Sequence, residues 1–263
     1  MARTYTLVNQ KGGVGKTTSA INISAYLGYF GQRVLLVDLD PQANATSSVG
    51  LDKRAIKHGT YEVLIGNAPI IPQIWHSPRF KLSVLPSSPA LAGAEIELID
   101  VEKREFRLRE VLSAVQNRFD YILIDCPPSL GLLTINGLIG ALNGVIIPVQ
   151  CEYLALEGLG QLTQTINRIR ASLFPELEVR GVMMTMFDNR ILLARDVVNE
   201  VRNFFPDQVF NSIIPRSTRL AEAPSHGQPI SVYAPESNAA KMYESLVREI
   251  LEQDGIHIPI LAT

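Results

Sequence analysis

Cysteine is scarce in this chain of 263 residues, and its spacing excludes two kinds of site. The sequence has two cysteines, Cys126 and Cys151, which are not spaced as metal ligands are and are too few for a disulfide framework. Proteins with few, free thiols typically work in a reducing compartment. The composition therefore predicts a cytoplasmic protein whose cysteines pack in the core or near a site.

Long hydrophobic runs and an excess of one charge are also missing. No apolar run reaches the roughly 20 residues that cross a bilayer, and the short run after Arg3 does not resemble a secretory signal. The 24 basic and 26 acidic residues give a formal net charge of −2, so the whole molecule does not attract nucleic acid. We expect no membrane partner, and any contact with DNA must come from a local basic surface.

The remaining composition is that of a globular protein, with 46% hydrophobic residues and no repeat or low-complexity linker. Strand and helix patterns alternate, which predicts an α/β fold: a mostly parallel, twisted β-sheet with helices on both faces. We predict one domain over residues 1–263, with an irregular tail over about 253–263. The predicted strands are Arg3–Val8, Gln32–Leu39, Phe80–Leu85, Phe119–Asp125, Gly144–Gln150, Leu177–Met186 and Phe210–Ile214. The predicted helices are Lys16–Tyr29, Tyr61–Ile65, Leu91–Ile99, Lys103–Gln116, Gly158–Leu173, Arg195–Phe204 and Ser237–Glu252.

The most informative stretch is the glycine-rich loop between the first predicted strand and helix. Glycines let several backbone N–H groups point at one anion, and the helix N-terminus adds partial positive charge. We expect Lys16 to reach the β- and γ-phosphates of a nucleotide and the Thr17 hydroxyl to bind Mg²⁺. A second lysine, Lys11, is not needed for a triphosphate that Lys16 already holds. The predicted nucleotide-binding residues of this P-loop NTPase-type fold are Lys11, Gly12, Gly13, Val14, Gly15, Lys16, Thr17 and Thr18.

Carboxylates follow two other predicted strands. Asp38 and Asp40 end one strand, and Asp125 ends another, so all three are expected at the carboxyl edge of the sheet, where ligands bind in open α/β folds. The alternative for the first pair is that the aspartates cap the next helix, although strand alternation would point both to the same side. Asp125 is suited to face the Mg²⁺ held by Thr17.

The loop variant K-G-G-x-G-K-T-T resembles the deviant phosphate loop of the ParA/MinD ATPases. The segments D-x-D-P-Q-x-N from Asp38, D-x-P-P-S from Asp125, and I-I-P-R before Ser217 match further motifs of that family in the same order. The resemblance covers nearly the whole chain, from Thr4 to about Glu252. It implies ATP and Mg²⁺ as cofactors and a homodimer that forms on ATP binding.

The resemblance also implies roles for single residues. Lys11 would reach across the dimer to the partner's nucleotide, which makes Lys11, Lys16 and Asp40 the expected catalytic residues. Asp40 would position or activate the attacking water. Asp38 would not bind Mg²⁺ directly but would lie next to the residues that do. The segment after Pro215, including Ser217, would contact the adenine.

Three branches of the family fit this sequence poorly. A nitrogenase-type iron protein needs cluster cysteines that Cys126 and Cys151 do not match. A MinD-type protein needs a basic C-terminal membrane helix, whereas residues 249–254 are acidic. A partition protein that doubles as a repressor carries an N-terminal DNA-binding extension. The chain therefore looks like the short ParA/Soj type, a chromosome- or plasmid-partitioning ATPase with slow turnover and a ParB-like partner.

In that type, arginines at the positions of Arg190 and Arg219 contact DNA without sequence preference. They belong to a group of arginines around the last two predicted strands: Arg190, Arg195, Arg202, Arg216 and Arg219. We expect location in the cytoplasm with nucleoid or plasmid DNA. The alternative is an ATP-dependent positioning or regulatory protein for a cargo other than DNA. The two hypotheses share the nucleotide site and differ in the arginine surface.

Overall fold

A computed structural model describes residues 1–153 and 155–258. In these residues a seven-stranded sheet is surrounded by helices. The strands are β1 (Arg3–Leu7), β2 (Val34–Asp38), β3 (Trp75–Ser77), β4 (Leu82–Leu85), β5 (Tyr121–Asp125), β6 (Val145–Gln150) and β7 (Val179–Thr185). The helices are α1 (Lys16–Tyr29), α2 (Asn44–Ser48), α3 (Thr60–Leu64), α4 (Ala94–Glu97), α5 (Arg107–Ser113), α6 (Leu132–Gly140), α7 (Ala155–Ser172), α8 (Leu192–Phe204), α9 (Thr218–Glu222), α10 (Ile230–Tyr233) and α11 (Asn238–Gln253).

The strand order is β3-β4-β2-β5-β1-β6-β7, and every pairing is parallel except that of β3 with β4. Strands β2 and β5 are buried along their full lengths. Alternate residues of β2 enter different cores: Leu36 packs in the core that includes α1 and α11, and Leu35 packs in the core that includes α3 and α5. Helices therefore cover both faces of the sheet, and the predicted fold class is confirmed. None of the helices in the described ranges is both long and apolar enough to cross a membrane.

Several parts of the secondary structure differ from the sequence prediction. The antiparallel edge strand β3, the helix α6 and the short helices α2, α9 and α10 were not predicted. The predicted strand Phe210–Ile214 does not form, although the backbone N–H groups of its two end residues bond to β7. Between them, the N–H groups of Asn211 and Ser212 donate to the carboxylate of Glu249 on α11, at 2.7 and 3.2 Å. Of these two donors, the N–H of Ser212 is the one that would face β7 in a regular parallel ladder, and the Glu249 side chain takes it instead.

Two predicted helices are shorter than their hydrophobic patterns suggest. The region predicted as Leu91–Ile99 contains the end of a 3₁₀ turn, Pro89–Gly93, followed by the single turn α4. The region predicted as Lys103–Gln116 begins with a 3₁₀ turn after Lys103, whose φ is +56°, and only then enters α5. In the tail, α11 ends at Gln253 and residues 254–258 form a turn and irregular chain; residues 259–263 of the predicted tail lie outside the described ranges.

A buried carboxylate joins the end of the last helix to the sheet. The Asp254 side chain is 5% exposed and accepts hydrogen bonds from the hydroxyls of Tyr5 at 2.7 Å and Tyr121 at 2.8 Å. Arg180 donates to the same carboxylate at 3.0 Å, so the buried charge is paired. Burial and the charge of Asp254 raise the pKa of Tyr5 to about 12, so both tyrosines remain donors at neutral pH. These bonds connect α11 with β1, β5 and β7.

We expect Asp254→Ala to lower the free energy of unfolding by roughly 3 kcal/mol, because it leaves Arg180 without its buried counter-charge and two tyrosine hydroxyls without an acceptor. Urea unfolding followed by circular dichroism measures the change. The control is Glu252→Ala, an exposed acidic residue near the end of α11, which should change the free energy by less than about 0.5 kcal/mol. Equal effects of the two substitutions would contradict the anchoring role of Asp254.

Candidate functional site

The candidate site lies where β1, β2 and β5 end side by side. In the sheet register Asp125 pairs with Leu7 on one side and with Asp38 on the other. The chain leaves β1 through the glycine-rich loop and enters α1 at Lys16. Gly15 immediately precedes α1 with a φ of +89°, a left-handed conformation that favours glycine. The register therefore brings the predicted loop and two predicted carboxylates to one edge.

The loop is held in place by polar contacts that the sequence analysis did not anticipate. The Asn9 side chain accepts from the backbone N–H of Lys11 at 3.0 Å and donates to the carbonyl of Pro148 at 2.8 Å. The Thr185 hydroxyl at the end of β7 donates to the carbonyl of Val14 at 2.9 Å. A polar residue, Asn9, directly after an apolar strand was a sequence signal for a role in the loop. No sequence signal indicated the contact of Thr185.

The two lysines of the loop occupy different surroundings. Lys16 is buried, and its Nζ lies 3.1 Å from the carbonyl of Lys11. Burial lowers the pKa of Lys16, and the carboxylate of Asp125 opposes this effect. The Lys11 side chain is 36% exposed and its Nζ lies 3.4 Å from Glu152, which also contacts Arg216 at 3.5 Å. Glu152 was not predicted as a site residue.

A cavity of about 350 Å³ opens in front of the loop. Its lining combines loop residues with the predicted Asp40, whose carboxylate accepts from the N–H of Gln42 at 2.8 Å. Val14, Asp38, Asp125 and Lys11 do not line it. The lining residues are Gly12, Gly13, Gly15, Lys16, Thr17, Thr18, Asp40, Gln42, Asn44, Pro128 and Met186. Gln42, Asn44, Pro128 and Met186 were not assigned to the site from the sequence.

Asp38 and Asp40 do not act as a matched pair, because β2 ends at Asp38 and strand alternation goes no further. Asp38 accepts from the backbone N–H of Thr46 at 2.8 Å and from its hydroxyl at 2.7 Å. The alternative considered for one aspartate, bonding to the start of the next helix, is thus correct for Asp38. Burial raises the pKa of Asp38, while the bonds from Thr46 and Asp40 oppose the rise. Asp38 holds α2 in place, and Asp40 faces the cavity.

Asp125 is the unusual member of the site. Both of its carboxylate oxygens are buried without a hydrogen-bond partner in the described part of the chain. Burial, and next the charge of Asp38, raise the pKa of Asp125 well above its usual range, while Thr17 and Lys16 oppose the rise. A buried carboxylate beside a threonine hydroxyl matches the oxygen ligands that Mg²⁺ prefers. No cluster of three or more His, Cys, Asp or Glu side chains within residues 1–153 and 155–258 can hold a metal alone, so further oxygens must come from a ligand such as phosphate.

A second cavity, of about 240 Å³, lies beyond the start of α1 and is lined mainly by apolar groups. It contains the predicted Pro215 and Ser217 together with Gly15 and Thr18 of the loop region. The other lining residues are Thr185, Met186, Ile214, Arg216, Leu220, Ala221 and Tyr243. Because Gly15, Thr18 and Met186 line both cavities, the two spaces adjoin. This arrangement suits a ligand with an anionic end and a flat apolar end.

The two arginines predicted to contact DNA are both on the surface. Arg190 is 84% exposed in its side chain and lies 2.6 Å from the carboxylate of Asp188. Arg219 on α9 is 59% exposed and lies 3.0 Å from Glu222. Each guanidinium is therefore reachable from solvent and already paired with one acidic neighbour.

Comparisons with known proteins show the family and the fold. A family model described as an AAA domain matches residues 2–179. The chain is 49% identical to the sporulation initiation inhibitor protein Soj of Bacillus subtilis, over 95% of this chain and 98% of that protein. It is 50% identical to the chromosome-partitioning ATPase Soj of Treponema pallidum, over 97% and 99% of the two chains. It also resembles a crystal structure of cobyrinic acid a,c-diamide synthase from Mycobacterium smegmatis with bound ADP and magnesium, with a TM-score of 0.85, 35% identity and complete coverage of both chains.

We expect Asp125→Asn to raise the free energy of unfolding by about 1 kcal/mol or more in buffer without nucleotide and with a chelator, because a neutral amide costs less to bury than a carboxylate without a partner. Chemical denaturation measures the change. Asp100→Asn, at an exposed position, is the matched control and should have no effect. Adding Mg²⁺ with ADP should stabilise the original protein more than the Asp125→Asn variant. A variant that is less stable without Mg²⁺ would show that the Asp125 carboxylate is not a strained, unpaired charge.

Proposed function

This chain belongs to the Soj/ParA family of chromosome-partitioning ATPases, and from that premise we propose that it is an ATP-gated dimerising switch that partitions DNA. The observation that carries the proposal is the different placement of its two loop lysines. Lys16 lines the cavity in front of the loop, whereas Lys11 lies outside that lining with its side chain on the surface. Within one chain, Lys16 thus serves the cavity, and Lys11 is available to a second molecule.

ATP and Mg²⁺ are the cofactors of this ATPase. We assign the phosphates to the loop N–H groups, to Lys16 and to Thr18, and the adenine to the cavity that contains Pro215 and Ser217. Thr17 and Asp125 would hold Mg²⁺, which supplies neutralisation of phosphate charge and fixes phosphate orientation. Asp38 would support the site indirectly, because it bonds α2 to the end of β2, next to Asp125 in the sheet register. The lining of the two cavities and the buried Asp125 carboxylate support the assignments of the phosphates, the adenine and Mg²⁺.

In hydrolysis, Asp40 would orient the attacking water in the cavity and accept its proton. The bond from the water oxygen to the γ-phosphorus would form as the bond from that phosphorus to the β–γ bridging oxygen breaks, and ADP would leave with the bridging oxygen. Lys11 of a second copy would contribute positive charge to the transferred phosphoryl group. Because this charge is available only in the dimer, ATP binding and dimerisation strengthen each other, and the monomer turns over slowly. Loss of the γ-phosphate then weakens the dimer.

We further propose that the dimer binds DNA without sequence preference through Arg190 and Arg219, and that a ParB-like partner stimulates hydrolysis. Exposed guanidinium groups are suited to phosphate contacts, which carry affinity but no sequence information. The protein would accordingly act in the cytoplasm on nucleoid or plasmid DNA. One observation favours the alternative of a cargo other than DNA: Asp188 and Glu222 already neutralise part of the charge of these arginines.

Substitution of the two lysines separates nucleotide binding from dimerisation. Lys16→Ala should weaken ATP binding roughly 30-fold or more, because a buried charge on the phosphates is lost. Lys11→Ala should leave ATP binding to the monomer within about 3-fold but abolish ATP-dependent dimerisation and fast hydrolysis. Calorimetry and light scattering measure the two effects, with the exposed Lys57→Ala as the control. ATP-dependent dimers of Lys11→Ala would exclude the role across the dimer.

Retention of DNA in a salt series tests the cargo. We expect retention with ATP, none with ADP or in Lys16→Ala, and a slope of log affinity against log salt that falls by roughly one for each phosphate contact removed. Arg190→Glu and Arg219→Glu should lose retention and keep ATP-dependent dimerisation. The control is Arg168→Glu, an exposed arginine on α7. Retention by both charge-reversal variants would refute the arginine assignment, and no retention in any state would favour the other cargo.

A further inference from the structure

The short helix α9 carries residues of two parts of the molecule that the proposed function needs. Leu220 and Ala221 line the cavity assigned to the adenine. Arg219, on the same helix, is 59% exposed and faces the surface assigned to DNA. The chain continues from α9 directly into a 3₁₀ turn, Ala223–His226, which ends at Gly227.

Gly227 touches Gly50 with backbone against backbone. A Cβ atom built on Gly227 would lie 2.7 Å from the Cα of Gly50, closer than Cβ atoms approach other atoms, and 3.0 Å from its N. Both residues are left-handed, with φ of +62° and +87°. No side chain separates the two segments, so a movement of one has no flexible group to absorb it.

On the other side of this contact, Gly50 follows α2, the helix that bonds to Asp38 through Thr46. The Gly50 N–H donates to the carbonyl of Ser47 at 3.0 Å, at the end of α2. Inside α2, Thr46 donates twice to Asp38 and its hydroxyl accepts from the N–H of Ser87 at 2.8 Å. Asp40, two residues after Asp38, lines the cavity assigned to the phosphates. A displacement at Asp40 thus reaches Gly50 through a short, bonded segment.

We propose that the Gly50–Gly227 contact is a relay that couples the phosphate end of the nucleotide to α9 and hence to Arg219. The adenine end contacts α9 in every nucleotide state, because ATP and ADP share the same base. The phosphate end reaches α9 by a second path, through Asp38–Asp40, α2 and the glycine contact, besides the loop residues that line both cavities. Gly50 and Gly227 are positioning residues in this scheme, and they touch neither nucleotide nor DNA. The meaning of the relay for DNA rests on the proposed function, whereas its existence does not.

Hydrogen exchange without DNA tests the relay. The protein is compared in Mg²⁺ with ADP and in Mg²⁺ with a non-hydrolysable ATP analogue, and exchange is read in residues 44–50 and 218–227. We expect both segments to exchange at least roughly 5-fold more slowly with the analogue than with ADP. A difference confined to residues 44–50 in the unaltered protein would overturn the proposal.

Gly227→Ala should keep the difference in residues 44–50 and reduce it below about 2-fold in residues 218–227, because the added methyl group separates the two backbones. Gly31→Ala is the control for backbone strain alone, since Gly31 has a φ of +83° and open space around its Cβ position. It should behave like the unaltered protein.

If Gly227→Ala does not fold, Thr46→Val interrupts the same path by removing the hydroxyl bond to Asp38, with the same expected loss at residues 218–227. A full difference in a folded Gly227→Ala or Thr46→Val variant would overturn the relay. A protein that shows the relay but retains no DNA would contradict only the proposed function.

Discussion

The structure depends on how two buried carboxylates are accommodated at one edge of a parallel sheet. Asp38 and Asp125 face each other in register on neighbouring buried strands, where neither can be fully solvated. The chain treats them differently: Asp38 receives three hydrogen bonds, whereas Asp125 receives none in the described residues. The first arrangement builds structure, because it fixes α2 to the sheet. The second leaves a charge that a cation can compensate, so stability is lower at the place where Mg²⁺ is expected to bind.

At the same edge of the sheet, two short helices take part in lining the cavities. The long helices α1 and α11 pack in a large core and connect to the sheet through contacts such as Asp254 with Tyr5 and Tyr121. The five-residue helices α2 and α9 instead lie beside the two cavities, where Asn44 contributes to one lining and Leu220 and Ala221 to the other. Short elements beside a cavity can change position while the long helices stay in place, and a rigid scaffold makes such changes directional. A switch built in this way needs no rearrangement of the sheet.

Much of the fold and site could be predicted because the decisive patterns are local. The strand, glycine-rich loop and helix around Lys16 are consecutive in the chain, and the buried strands ending at Asp38 and Asp125 are continuous apolar runs. The errors occurred where a distant residue intervenes. Glu249 takes the N–H groups of Asn211 and Ser212, and the predicted strand Phe210–Ile214 does not form. Edge strand β3 pairs with β4 across a short connection and carries no long pattern of its own.

The sequence by itself determined the class of fold, the family and the chemical types of the site residues, since glycines, lysines and aspartates at fixed spacings act through short-range backbone geometry. Only the tertiary structure decided which of these groups face a cavity. Asp38 and Asp40 are two residues apart, yet one bonds to α2 and the other lines the cavity, because β2 ends between them. Likewise, only chain folding brings Gly50 against Gly227 and Glu152 beside Lys11. Contacts between residues so far apart in the chain depend on the packing of whole elements, which no local pattern encodes.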